Sequence, residues 1–112
     1  MKPAFKKYGN KRVEWLGQSF DSKAELNRYY KLIELEKIGL ITQLTRQVSF
    51  VLAPKVAING VTKRALTYRA DFSYVQNGKQ IVEDTKGYLT DVYKIKRHLM
   101  KHVHNIDILE TR

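Results

Sequence analysis

Residues 67–87 run TYRADFSYVQNGKQIVEDTKG. Two runs rich in β-branched and aromatic residues flank Asn77-Gly78, a dipeptide strongly favoured in the two-residue turn that joins antiparallel strands. Counting outward from Gln76 and Lys79, Val75 faces Gln80, Ser73 faces Val82, Asp71 faces Asp84, and Arg69 lies across from Lys86. Side chains alternate along a strand, so Asp71, Asp84 and Lys86 share one side of the ribbon. Facing Cβ atoms are about 5 Å apart, and like charges so placed repel. Either the acids pair with Arg69 and Lys86 on a solvated hairpin, or they hold a cation between them. Phe72, Tyr74, Ile81 and Val82 make these strands apolar enough to be central, where a carboxylate needs a partner.

The rest of the chain is expected to fold around this ribbon as one α/β domain over residues 13–112, preceded by a flexible basic arm at residues 1–12. A 43% hydrophobic and 29% charged composition is that of an ordinary globule. Cysteine is absent, which excludes disulfides and thiolate metal sites. Met1-Lys2-Pro3-Ala4 opens no signal-like apolar run and no stretch approaches the length of a membrane span, so no membrane partner is expected. The expected location is the cytoplasm, the host's if the protein is phage-encoded. Twenty-one Lys and Arg against 11 Asp and Glu give a formal net charge of +10, which points to a polyanion, nucleic acid first, unless it serves solubility alone.

In the arm, Lys6, Lys7, Lys11 and Arg12 are candidate phosphate contacts. Val13-Glu14-Trp15 and Gln18-Ser19-Phe20 suggest a small hairpin. A first helix is expected from about Ser22 to Ile38, stopped by Gly39, with Leu26, Tyr29, Tyr30, Leu32, Ile33, Leu35 and Ile38 as its apolar stripe. Two readings compete for Glu25. Ser22-x-x-Glu25 is a capping box, and the same carboxylate is a candidate metal contact. Arg28, one turn on, is a phosphate contact or a surface charge.

Val48 to Ile58 alternates as a strand whose far half Pro54 demotes to an edge. Asn59-Gly60 is a second turn, and Lys55, Lys63 and Arg64 make its arms a basic ribbon that could read a groove or track a backbone. A second helix is expected from about Thr90 to His102, with Val92, Ile95, Leu99 and Val103 buried and Lys94, Arg97, His98 and Lys101 forming a basic outer face. His98 and His102 stand one helical turn apart with His104 beyond, but a zinc site there would lack a fixed third ligand. Ile106 to Leu109 is expected to close the sheet, leaving Glu110-Thr111-Arg112 as tail.

The order helix, strands with hairpins, helix, strand, taken with Phe20-Asp21-Ser22-Lys23-x-Glu25, Gln47, Tyr68-x-Ala70-Asp71-Phe72 and Val82-Glu83-Asp84-Thr85-Lys86-Gly87, resembles the PD-(D/E)XK nuclease superfamily. Within it, the chain is similar to small phage-encoded endonucleases of the Holliday-junction resolvase type. The resemblance implies a restriction-endonuclease-like αβββαβ core with a mixed central sheet flanked by helices. It also implies a metal-dependent DNA endonuclease in which Glu25, Asp71 and Asp84 hold Mg²⁺, with Mn²⁺ able to substitute, and Lys86 completes the catalytic set. Gln47 would help position water or phosphate, unless it serves only as a strand-edge hydrogen bond. Ala70 stands where the name-giving proline would be, Asp84 replaces the commoner glutamate, and Glu83 falls on the wrong side to act. Branched or junction DNA and a homodimer are the implied partners. The alternatives are a nicking, restriction-like or transposon-end endonuclease, and a non-catalytic basic nucleic-acid binder.

Overall fold

The computed structural model describes residues 12–15 and 17–112. Lys6, Lys7 and Lys11 lie outside the described residues. A short hairpin of β1 (Val13–Trp15) and β2 (Gln18–Phe20) leads into helix α1 (Lys23–Lys37). Strand β3 (Thr42–Ala53) follows, then a ribbon of β4 (Val56–Ile58) and β5 (Val61–Lys63), then β6 (Leu66–Gln76) and β7 (Lys79–Thr85). Helix α2 (Asp91–His104) and strand β8 (Leu109–Thr111) complete the chain. The central sheet is mixed, in the order β3-β6-β7-β8, antiparallel except for the parallel β7–β8 pair. The core thus runs αβββαβ.

Asn77 and Gly78 both take left-handed backbone, at φ 53° and 74°, the pairing that matches a tight turn to the twist of its strands. The register follows from it: Val75 pairs with Gln80, Ser73 with Val82 and Phe72 with Glu83. Side chains at 72, 74 and 81 face one side, where they pack with Leu32 and Ile41 beneath α1. Val82 faces the other, where it packs with Tyr93 and Met100 of α2.

Tyr68 and Ala70 break the alternation. Both have the parity of Phe72, yet they pack with Val82, Leu52 and Met100 on the α2 side. On β3 the same change falls between Arg46, whose guanidinium lies 3.8 Å from the Phe20 ring beside α1, and Phe50 and Leu52, which belong to the α2 side. Gln47, between them, has φ 54°. The ladder pairs Arg46 with Phe72 and Val48 with Ala70, so the reversal lies at Gln47 and Asp71. A left-handed residue in a strand turns the following side chains to the other face, as a bulge does.

Helix α1 begins as the sequence suggests. Ser22 is extended (φ −154°, ψ 162°) and its hydroxyl accepts the Glu25 N–H at 3.1 Å. Its inward face is narrower than expected. Leu32 is buried and Tyr29 and Leu35 pack beside it, whereas Tyr30 and Ile38 are exposed.

Three expectations need correction. Strand β3 runs Thr42–Ala53, not Val48 to Ile58, because Thr42 already pairs with Val75 and Thr45 with Ser73 of β6. Strand β8 is Leu109–Thr111, not Ile106–Leu109, since the parallel ladder joins Asp84 to Glu110 and Thr85 to Thr111. Helix α2 is also rolled relative to the expected stripe. Val92, Ile95 and Val103 are exposed, and Tyr93 and Met100 point inward. Tyr93 can be buried because its hydroxyl donates to Glu110 at 2.6 Å. Arg97, half-buried beside it, reaches the same carboxylate at 3.0 Å.

Candidate active site

The β6–β7 ladder stops at Phe72↔Glu83. One residue further, the Asp71 side chain enters the opening between the strands, and the Thr85 N–H donates to its Oδ2 at 2.8 Å. Asp84 lies close enough to Asp71 to act on its carboxyl group. Lys86 Nζ stands 3.2 Å from Asp84 Oδ2. Parallel pairing with β8 fixes the β7 end of this group, where the Lys86 N–H donates to the Thr111 carbonyl at 2.8 Å. Asp71, Asp84 and Lys86 therefore converge as the turn register requires.

Two tyrosines that sequence reading passed over complete the surroundings. The buried Tyr68 hydroxyl donates to Asp84 Oδ2. The Lys86 ammonium lies 4.3 Å from the centre of the Tyr93 ring, close enough for a cation–π contact. Under strict alternation Tyr68 would lie on the other face from Asp84, and only the reversal at Gln47 and Asp71 brings them together. The sole signal available was the apolar, aromatic character of residues 68–74.

Burial, first, and then the hydrogen bond to Asp84 and the charge of Asp84, push Asp71 up to about 9, far above the usual carboxylate range. The Thr85 N–H works against this and Glu25 adds to it. Without a cation the pair therefore holds a proton at neutral pH, the usual outcome for two carboxylates that share one place. Burial and Asp84 also raise Tyr68, so its hydroxyl remains a donor.

Glu25, 2% exposed, has both carboxylate oxygens hydrogen-bonded within the protein. Its Oε1 accepts the Asp21 N–H at 2.8 Å, one residue before the cap position, which ties down the helix start. Its Oε2 accepts Gln47 Nε2 at 3.0 Å, with Arg46 3.7 Å away. Gln47 makes this side-chain bond from its left-handed position, and so links α1 to the reversal beside Asp71. Glu25 adds to the field at Asp71 but is not within one cluster with the aspartates: among the described residues, no three acidic or histidine side chains are grouped to hold a metal ion. Asp71 and Asp84 are two carboxylates, and a magnesium site commonly uses one or two, with waters and substrate phosphate filling the rest.

The remaining candidates divide. Arg28 is not a free phosphate contact. Its Nη2 donates to Glu83 Oε2 at 2.9 Å and its Nε to Oε1, while Tyr74 also donates to this fully buried carboxylate. Glu83 faces α1, away from Asp84, and the pair ties helix to sheet. Arg12 pairs with Asp21 at 3.1 Å. Lys63 and Arg64 are exposed on and after β5. Lys94, Arg97, His98 and Lys101 line one wall of an open groove of about 380 Å³ between α2 and the segment 106–110, where Arg97 meets Glu110 and Lys101 meets Asp107 at 2.9 Å. His104 Nε2 lies 2.7 Å from the Val51 carbonyl, which accounts for it without zinc.

The fold and site are those of an α/β domain with a buried aspartate, a half-buried one and an amine at the end of its central strand ladder. The chain belongs to the family described as "Protein of unknown function (DUF1064)", whose profile matches residues 5–109. No curated protein and no solved structure matches the chain. No helix among the described residues is long and apolar enough to cross a membrane.

Proposed function

We propose that the protein is a metal-dependent DNA endonuclease of the PD-(D/E)XK type, hydrolysing phosphodiester bonds in branched DNA and acting as a homodimer on two-fold symmetric junctions. The observation that carries this reading is the placing of Asp71, held by the Thr85 N–H at 2.8 Å, beside Asp84, with Lys86 Nζ 3.2 Å from Asp84. A solvated hairpin would leave both acids exposed, whereas Asp84 is buried and Asp71 half-buried. A non-catalytic basic binder would scatter its acids over the surface.

Asp71 and Asp84 would hold Mg²⁺, or Mn²⁺ in its place, with Glu25 near enough to add negative field. The ion when bound supplies charge stabilisation at phosphorus and lowers the pKa of bound water. Asp71 would hold the ion as the ionised carboxylate. Lys86, held by Asp84 and the Tyr93 ring, is placed to orient water or stabilise the charge that develops on the phosphate. Tyr68 fixes the Asp84 carboxylate, as partners of metal-holding side chains commonly do. The formal charge of +10 offsets the repulsion that three acids would exert on DNA.

The test is a cleavage panel of a synthetic four-way junction, a nicked duplex and single strands, with Mg²⁺ or EDTA. The reading expects Mg²⁺-dependent products from the junction, and their loss in Asp71→Asn and Lys86→Ala with junction binding retained. No Mg²⁺-dependent product on any substrate would overturn it in favour of the binder.

A further inference from the structure

We infer that the β4–β5 ribbon is a DNA-engaging wing whose apolar face seats against unstacked bases at a branch point. All six strand residues are exposed. The register pairs Val56 with Lys63, Ala57 with Thr62 and Ile58 with Val61, so one face carries Val56, Ile58 and Val61 with Lys63, and the other only Ala57 and Thr62. Val56, Ile58 and Val61 are each about half exposed (49%, 50% and 54%), and Leu66 at the ribbon's base is 58% exposed. A two-stranded ribbon alone is marginally stable in water, and an apolar face on it calls for a partner. Left-handed Asn59 and Gly60 close it tightly, giving a narrow tip.

Charge decides the partner's chemistry. Between Glu36 and Asp71 the sequence has no acidic residue, while Lys55, Lys63 and Arg64 stand on or beside the ribbon. A second copy would bring an equally cationic ribbon to it, whereas a polyanion is attracted. DNA offers apolar side chains a matching surface chiefly where bases are unstacked, and aliphatic side chains are used as wedges at such steps. The ribbon continues from β3 and into β6, and its base at Leu66 is five residues of strand from Asp71. That is about 16 Å, so a branch point on the ribbon and a phosphate at the carboxylates fit one bound junction.

This inference rests on the proposed action on branched DNA, but it is tested by binding in EDTA, where cleavage plays no part. Affinity of the full chain is measured for a synthetic four-way junction and for a linear duplex of the same arm sequence. Replacing Ile58→Thr and Val61→Thr together keeps the β-branched backbone preference and removes apolar surface. The double variant is expected to weaken junction binding about 10-fold or more and to leave duplex binding within about twofold. Lys63→Ala with Arg64→Ala is expected to weaken both and to lower the log–log salt slope by roughly 1.8. Equal loss on both DNAs from the threonine variant, or no loss on the junction, would overturn the inference. So would sedimentation showing that this variant turns a dimer into a monomer, which would make a second copy the occupant. A nuclease that cuts normally but fails these binding tests would refute the wing alone; normal wing behaviour without cleavage would refute the nuclease alone.

Discussion

The Thr85 backbone N–H donates to the Asp71 carboxylate at the point where β6 and β7 part, so a side chain takes the place a ladder carbonyl would have filled. Asp71 is thereby fixed beside Asp84. An asparagine there keeps an acceptor for Thr85 and offers Asp84 a donor without the proton that Asp71 must take up to do the same. Asp71→Asn is expected to stabilise the metal-free protein by about 1–3 kcal/mol at pH 8 and to abolish cleavage. Urea denaturation in EDTA beside the cleavage assay checks both, and a less stable variant would contradict the cost of that proton uptake.

The pH dependence carries the same sign. Asp71 in the folded protein titrates at about 9, above its ordinary value, so the stability contributed by the protonated pair is fully present below about pH 4 and is lost as pH rises towards 9. Glu110 is lowered, first by the Tyr93 hydroxyl and then by Arg97, so its contribution is lost only on the acid side and is constant above about pH 6. Denaturation in EDTA from pH 6 to 9.5 should show a falling stability that Asp71→Asn flattens and saturating Mg²⁺ offsets.

Tyr68 donates to Asp84 from a buried position. Tyr68→Phe keeps the ring and removes the hydroxyl that orients the carboxylate. Titration calorimetry with Mn²⁺ is expected to show affinity weakened about 10-fold, with stability reduced by about 1 kcal/mol. Unchanged affinity would make Tyr68 a packing residue only.

Arg28 and Glu83 separate structure from DNA contact. Arg28→Ala leaves a buried carboxylate with only Tyr74 to satisfy it, and breaking such a pair costs about 3–5 kcal/mol. The thermal midpoint should fall sharply, while under conditions where the variant is folded the salt slope of DNA binding stays that of the parent. A slope reduced by about 0.9 would restore Arg28 as a phosphate contact.

The turn-borne part of this molecule was legible because few residues tolerate two successive left-handed positions. Asn77-Gly78 fixed the register, and the register placed Asp71, Asp84 and Lys86 together. The reversal at Gln47 was not legible, since glutamine has no preference for φ 54° and is held there by its bond to Glu25, a contact 22 residues away. The roll of α2 was hidden for a similar reason. Val92, Ile95, Leu99 and Val103 make the cleaner apolar stripe, yet Tyr93 is inward because Glu110 receives its hydroxyl. Glu110 was itself read as tail because a three-residue parallel edge strand leaves almost no pattern.

If the proposed function holds, Asp71 and Asp84 share one divalent ion. Anomalous diffraction from crystals of the full chain grown with Mn²⁺ measures this directly. A single dominant peak bonded to both carboxylates at about 2.1 Å is expected. A peak at His98 and His102 instead, or none between the two aspartates, would contradict it.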